Sequence, residues 1–323
     1  MYTEIGTDIL KAARFLNDGN LVAIPTETVY GLAANALNDD AVLEIYKVKQ
    51  RPQFNPLILH VSSLEKAKSF VTYIPFKAQL VAQAFWPGPL TLLLEKNKNV
   101  SDLITAGSNK VAIRVPNHLL ALELLNQLDF PIAAPSANPS GYVSPTSATH
   151  VYENLHGKIP YILDGGNCAV GVESTILGWS EDEEPEIYRL GGITVEAIET
   201  VLEQKVKIKK HFVNNPNTPG QLKSHYATHT PLHIGSIEEL MRKFEDDKIV
   251  LINFTTFNPE LAKENQFILS PSGNIDEAAK NLFGILRLAD NLKADVLLAE
   301  LLPNKGLGIA INDRLERAQY IMK

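Results

Sequence analysis

The chain has 323 residues, of which 45% are hydrophobic and 21% charged, as expected of a folded protein with room for two domains. Its formal net charge of −7 argues against a broad basic surface for nucleic acid, although a local basic groove is compatible with it. One cysteine, Cys168, excludes an internal disulfide, and the absence of a signal-peptide pattern and of a membrane-length apolar run predicts a cytoplasmic protein without a membrane partner.

Helices and strands mix without strict alternation over the first 200 residues. Predicted strands are 21–24, 57–61, 90–95, 111–115, 131–134, 161–163, 174–178 and 186–190. Predicted helices are 7–18, one capped by Asn38 or Asp39, one after a possible capping box at 62–65, and 118–128, 147–155 and 194–203. This pattern predicts an α/β fold with a twisted mixed sheet rather than a doubly wound parallel one.

The composition changes after residue 202. Residues 214–220 are typical of a linker, and a second series of elements follows Pro231. Its predicted helices are 237–244, 275–292 and 313–322, and its predicted strands are 249–252, 267–269 and 296–299. We therefore predict a catalytic domain over residues 1–205, a linker or lid over 206–230 and a small α/β domain over 231–323.

Two segments bring polar residues to the ends of predicted elements. Residues 25–31 follow a strand and could line a pocket, or form a plain turn with one core tyrosine. Lys49 and Arg51 end a helix, where cations can simply complement the helix dipole. Because Pro52 forces Arg51 out of helical geometry, the two cations can instead converge on a polyphosphate.

Two further features need a partner or a ligand. Residues 134–146 are rich in Ser, Pro and Asn, which suits an anion nest or an ordinary loop that caps the next helix. Arg114 lies inside an apolar strand and must pair with a substrate anion, with Glu27 or with Glu173. The chain has no P-loop motif and no dinucleotide fingerprint, so a nucleotide would need another kind of cradle.

Taken in order, segments 25–31, 49–60, 85–93, 111–116, 134–146, 164–176 and 189–193 resemble the L-threonylcarbamoyl-AMP synthase family, also called YrdC-like. Residues 218–220, 225–226 and 308–314 resemble the linker and the end of the extra domain in its longer, two-domain form. The resemblance implies a YrdC-like twisted mixed sheet with an open concave cavity, followed by a small C-terminal Rossmann-like α/β domain.

The same resemblance implies the site residues. The catalytic tetrad would be Lys49, Arg51, Ser136 and Asn138. ATP would contact Arg51, Asn55, Lys110, Ser136, Ser144, Arg189 and Tyr226. L-Threonine would contact Thr28, His60, Arg114, Ala134 and Ser174. Mg²⁺ would enter with ATP, without a metal site formed by the protein.

The implied enzyme is a nucleotidyltransferase. It would convert L-threonine, bicarbonate or CO2, and ATP into threonylcarbamoyl-AMP and pyrophosphate, and a downstream tRNA threonylcarbamoyl transferase would use the product without a need for direct tRNA binding here. One alternative is a non-catalytic RNA-binding protein of the same fold, supported by the lysines of residues 205–210. Another is carbamoyl-adenylate formation, as in hydrogenase-maturation proteins, which need domains that this chain lacks.

Overall fold

A computed structural model of the chain describes residues 2–180, 182–209 and 226–319. They form two compact units: the first comes mainly from residues up to 209, and the second from 226–319 with the short segments Gly141–Ser144 and Val170–Val172. The linker motif predicted at 218–220, and His225 beside it, lie outside the described residues. Within those residues, no helix combines the length and the apolar character that crossing a bilayer requires.

Within the described residues, the first unit forms an eleven-stranded sheet. Its strands are β1 (Glu4–Gly6), β2 (Val22–Ile24), β3 (Gly31–Asn35), β4 (Ile58–His60), β5 (Leu90–Glu95), β6 (Lys110–Arg114), β7 (Ile132–Ala133), β8 (Tyr161–Leu163), β9 (Thr175–Trp179), β10 (Pro185–Arg189) and β11 (Lys207–Ile208). They lie in the order β1-β8-β2-β3-β7-β4-β6-β5-β9-β10-β11. Five neighbouring pairs are parallel and five antiparallel, which confirms the predicted mixed sheet.

Six of the eight α-helices described in the first unit begin after a residue whose side chain caps the first turn. The eight helices are α1 (Ile9–Asn17), α2 (Asp39–Lys49), α3 (Leu64–Ala67), α4 (Phe76–Phe85), α5 (Asp102–Thr105), α6 (Leu119–Gln127), α7 (Ala148–Leu155) and α8 (Val195–Leu202). The Asn38 side chain accepts from the first backbone N–H groups of α2, and Ser147 caps α7 in the same way. Before α3, Ser63 alone caps the helix through Lys66 N, so the expected capping box is reduced to a serine cap.

The two faces of this sheet are covered differently. One face packs against helices that include α2, α4, α7 and α8 in the largest apolar cluster. On the other face, α1 and α6 cover the strands from β8 to β7. The rest of that face carries a small cluster made of strand residues alone, Ile58, Leu93, Ala112, Ile176 and Tyr188. The side chains next to this cluster on β4, β6, β5, β9 and β10 therefore line the part of the face where a site can form.

The second unit contains a sheet of four parallel strands in its described part. They are β12 (Leu232–Ile234), β13 (Ile249–Asn253), β14 (Gln266–Ile268) and β15 (Val296–Ala299), in the order β12-β15-β13-β14. The helices are α9 (Ile237–Lys243), α10 (Ile275–Asn291) and α11 (Gly308–Ala318). A parallel sheet with helices fits the Rossmann-like arrangement that the resemblance implied.

The last helix begins earlier than the sequence predicted. α11 starts at Gly308, whereas we expected residue 313, and the predicted end at 320–322 lies outside the described residues. A Cβ at Gly308 would stand 2.1 Å from the Pro303 carbonyl oxygen, so this glycine permits close packing rather than breaking the helix.

Candidate active site

A buried lysine at the end of α2 forms hydrogen bonds with the loop after β7. Lys49 is 1% exposed, and its ammonium donates to the backbone carbonyls of Ser136 and Asn138 rather than to its own helix. The Ser140 N–H donates back to the Lys49 carbonyl at 2.8 Å. Burial, with Arg51 nearby, holds the pKa of Lys49 well below its ordinary value. Lys49 thus contacts the backbone of two other members of the predicted tetrad.

The fourth member, Arg51, lies just beyond a left-handed residue, Gln50, at which α2 ends. Its Nε donates to the Asn55 carbonyl at 3.0 Å and its Nη2 to the Pro56 carbonyl at 2.7 Å. Burial lowers the pKa of Arg51 to about 10, and the positive charge of Arg189 acts in the same direction. The two arginines predicted to contact ATP are thus close enough for their charges to interact.

Asn55 is fully buried, yet its side-chain amide has no hydrogen-bond partner within the described part of the chain. Leaving buried polar atoms unsatisfied costs about 1–3 kcal/mol for each group. Such a cost is typical of residues kept for binding rather than for folding. The backbone carbonyl of Asn55 contacts Arg51, and the contact of the Asn55 amide with ATP stays a prediction.

Four side chains form a row across five neighbouring strands. Register pairs His60 of β4 with Arg114 of β6, Arg114 with Thr91 of β5, Thr91 with Ile176 of β9, and Ile176 with Arg189 of β10. Directly paired residues point to the same face of a sheet. The row therefore carries His60, Arg114, Thr91 and Arg189 beside the small strand-only cluster.

Ser174 links the middle of the row to its far end. Its hydroxyl lies 2.7 Å from the Thr91 hydroxyl and accepts from Arg189 Nη2 at 3.0 Å, while Arg189 Nε donates to the Ser174 carbonyl at 3.0 Å. A Cβ at Gly191 would stand 2.3 Å from the Glu173 carbonyl oxygen, so only glycine allows this approach. Sequence reasoning missed Thr91, although a hydroxyl inside an apolar strand signals a buried partner.

Arg114 pairs with Glu27, one of the partners that the sequence allowed. Its Nη2 lies 2.8 Å from Glu27 Oε1, and its Nε donates to the Gly88 carbonyl at 3.3 Å. A guanidinium has five N–H donors, so these contacts leave donors for a substrate carboxylate. The ion pair with Glu27 and the predicted threonine contact are therefore compatible.

The other predicted threonine contacts surround the same strands. The Thr28 hydroxyl lies 2.8 Å from that of Thr26, and the Ala134 N–H donates to the Ile58 carbonyl at 3.0 Å. Burial and Arg114 lower the pKa of His60 to about 3, so its imidazole is neutral at pH 7. His60 Nδ1 lies 3.2 Å from the Ile58 carbonyl and must donate to it, which leaves Nε2 as an acceptor.

Three further predicted ATP contacts have partners of their own within the described residues. Lys110 donates to the Trp179 carbonyl at 2.9 Å at the start of β6. Ser144 and Tyr226 belong to the second unit, where the Ser144 carbonyl accepts from Arg287 Nε at 3.4 Å and the Tyr226 ring stacks on Phe283 at 5.4 Å. Their contacts with ATP stay predictions.

Known proteins resemble this chain over nearly its whole length. A family model for Sua5, YciO and YrdC, described as telomere recombination, matches residues 14–191, and one described as threonylcarbamoyl-AMP synthase, C-terminal domain, matches residues 193–319. The threonylcarbamoyl-AMP synthase of Pyrococcus abyssi is 42% identical over 95% of this chain and 92% of its own length. The Bacillus subtilis protein of the same name is 41% identical over 96% and 92%.

The crystal structure of P. abyssi Sua5 complexed with L-threonine superposes with a TM-score of 0.90 at 41% identity, covering 98% of this chain and 97% of that one. The sequence and the fold thus match over the residues of both units. This chain therefore belongs to the Sua5/YciO/YrdC family and also carries the C-terminal domain of the threonylcarbamoyl-AMP synthases.

Proposed function

We propose that the chain is a threonylcarbamoyl-AMP synthase, a nucleotidyltransferase. It joins L-threonine, bicarbonate or CO2, and ATP into L-threonylcarbamoyl-AMP and releases pyrophosphate, for the threonylcarbamoyladenosine modification of tRNA. The relatives that match it over more than nine-tenths of their length carry this name. The alternative of a non-catalytic RNA-binding protein is not favoured by them.

The observation that carries the proposal is the polar row across β4, β6, β5, β9 and β10. At one end, Arg114 lies beside His60. At the other end, Arg189 donates to Ser174, and its charge interacts with that of Arg51. Three strand spacings of about 4.8 Å separate the two ends, or roughly 14 Å. The site thus offers the Arg114 guanidinium to an amino-acid carboxylate at one end, and the Arg189 and Arg51 guanidinium groups to a nucleotide phosphate at the other.

The reaction needs no covalent enzyme intermediate. The threonine amine takes up CO2 to give a carbamate, one carbamate oxygen attacks the α-phosphorus of ATP, and pyrophosphate leaves. Lys49, Arg51 and Arg189 would offset the charge that moves onto the leaving phosphates, while Arg114 orients the threonine carboxylate. Catalysis then rests on positioning and on preorganised charge.

We propose that ATP binds as its complex with Mg²⁺. The described residues hold no group of three His, Cys, Asp or Glu side chains that could bind a metal ion. Mg²⁺ usually binds substrate phosphates with few protein ligands, so it would enter the site with ATP. The ion would neutralise triphosphate charge, and Lys49, Arg51 and Arg189 would hold the same phosphates.

We also propose that the protein acts in the cytoplasm with a downstream partner. The product is a mixed anhydride that water destroys, so a tRNA threonylcarbamoyl transferase must consume it. A single buried cysteine suits a reducing compartment.

Pyrophosphate release tests the function directly. With ATP, Mg²⁺ and bicarbonate, we expect release when L-threonine is added, and far less with serine or with no amino acid. Release that does not depend on threonine would contradict the specificity. Salt-sensitive tRNA binding with no turnover would favour the RNA-binding alternative instead.

Replacing Asn55 with leucine should separate binding from stability. Because the Asn55 amide makes no hydrogen bond within the described residues, we expect the melting temperature to stay the same or rise. The KM for ATP should rise by about tenfold or more, since one hydrogen bond to a charged phosphate is worth about 1.5–3 kcal/mol. A variant that loses stability but keeps its KM for ATP would contradict the assignment.

A further inference from the structure

Glu27 occupies a rigid turn between β2 and β3. The Thr26 hydroxyl organises the turn, because it accepts from the N–H groups of Thr28 at 3.1 Å and Val29 at 3.2 Å and donates to the Val29 carbonyl at 2.7 Å. The Glu27 side chain is 7% exposed. The backbone thus presents this carboxylate in a fixed place next to Thr28, a predicted threonine contact.

The carboxylate is paired by charge but lacks hydrogen bonds. Glu27 Oε1 lies 2.8 Å from Arg114 Nη2, yet the two groups are not aligned for a hydrogen bond, and neither oxygen accepts one within the described part of the chain. Structural arginine–carboxylate pairs commonly form two parallel hydrogen bonds. A buried carboxylate that accepts no hydrogen bond can still accept one from another donor. Burying it without hydrogen bonds lowers the stability of the fold.

We propose that Glu27 binds the α-ammonium of the amino-acid substrate and accepts one of its protons before carboxylation. This inference rests on the proposed function. An α-amino acid carries opposite charges on neighbouring groups, and Arg114 and Glu27 present opposite charges 2.8 Å apart. The substrate carboxylate on Arg114 brings its ammonium to Glu27, so the pair recognises both charges of the zwitterion.

The transfer of a proton from the ammonium to Glu27 meets a chemical requirement of the reaction. An ammonium has no lone pair, so it cannot attack CO2. One N–H bond breaks, its proton moves to a Glu27 oxygen, and the freed lone pair forms the C–N bond with CO2. The nitrogen then loses a second proton to solvent, which leaves the carbamate with its negative charge on oxygen.

The other titratable groups close to Glu27 do not supply a negative charge for the ammonium. Cys168 is close enough to interact with both Glu27 and Arg114, and burial raises the pKa of its thiol to about 12, so the thiol stays protonated. Arg114 is cationic, and His60, close enough for Arg114 to depress its pKa, is neutral and can accept a substrate hydrogen bond at Nε2. Of these groups, Glu27 is the one that supplies a negative charge.

Binding measurements test the recognition of the ammonium. By calorimetry, wild-type protein should bind L-threonine more tightly than 3-hydroxybutanoate, which lacks the amine. In Glu27→Gln the Kd for threonine should rise by about 10- to 100-fold, the range expected for a charge-assisted hydrogen bond, while that for 3-hydroxybutanoate changes by less than about threefold. Equal loss for both ligands would indicate a merely structural role and overturn the inference.

Turnover against pH tests the proton transfer. At saturating threonine, kcat of Glu27→Gln should be far below wild type at pH 7 and should rise by about tenfold per pH unit toward the pKa of the amine, because free amine replaces the lost acceptor. Glu27→Asp should restore part of the activity at pH 7. The control Glu65→Gln, whose carboxylate is 81% exposed, should match wild type.

The outcomes separate this inference from the proposed function. Wild-type protein that releases no pyrophosphate with threonine would defeat the function itself. Wild-type turnover with an equally active Glu27→Gln would defeat only the role of Glu27. If Glu27→Gln does not fold, the wild-type comparison of threonine with 3-hydroxybutanoate still decides, because equal affinities would exclude recognition of the ammonium.

Discussion

Replacing Lys49 with methionine is expected to lower kcat for pyrophosphate release by a factor of about 10²–10³. Methionine keeps a long apolar side chain but removes the cation that would stabilise charge on the leaving phosphates. It also leaves the Ser136 and Asn138 carbonyls without their donor, at about 1–3 kcal/mol each. The free energy of unfolding should therefore fall together with activity.

Urea unfolding and pyrophosphate release measure the two effects on the same preparation. The matched control is Lys47→Met, two residues earlier in α2, because Lys47 is 68% exposed and its pairing with Glu44 is a surface contact. That control should change stability by less than about 1 kcal/mol and leave kcat unchanged. Unchanged turnover in Lys49→Met would remove the phosphate assignment, and unchanged stability would contradict the contact between α2 and the loop after β7.

Replacing Arg114 with methionine is expected to destabilise the protein by about 3–5 kcal/mol and to abolish threonine-dependent turnover. The substitution leaves the Glu27 carboxylate buried without its counter-charge. It also removes the cation that would hold the threonine carboxylate. Removing one partner of a buried ion pair is generally more harmful than removing both.

A double variant separates the two effects of Arg114. In Arg114→Met with Glu27→Gln, the buried negative charge is gone, so we expect much of the lost stability to return while turnover stays absent. Unfolding in urea and threonine-dependent pyrophosphate release are the measurements. Arg14→Met, at an exposed position of α1, is the control and should leave both unchanged. A double variant no more stable than the single one would show that the Glu27 charge is not the source of the instability.

Local patterns predicted most of the first unit. β5 and β8 have the predicted bounds, and the Asn38 and Ser147 caps follow from their side-chain chemistry. Sequence reasoning missed β3, whose small residues Gly31–Asn35 lack a strand pattern, and α4, whose apolar residues are spread around the helix. In both cases neighbouring strands or core packing, rather than local preference, stabilise the element.

The contacts of the site depended on long-range packing. Lys49 and the carbonyls it contacts are 87 and 89 residues apart in sequence, and Thr91 and Ser174 are 83 apart. Short-range spacing carries no information about which distant strands pair or in which register. Thr91 and Glu27 were therefore not singled out as site residues, although Glu27 was recognised as a potential partner of Arg114.

The sequence by itself determined the mixed α/β class, the family and the residue types available for binding anions, because these depend on composition, periodicity and ordered motifs along the chain. Only the tertiary structure decided that Lys49 ties a helix to a loop, that Arg114 pairs with Glu27, and that a polar row crosses five strands. These arrangements arise from sheet register and burial, which bring side chains together and set their charge states.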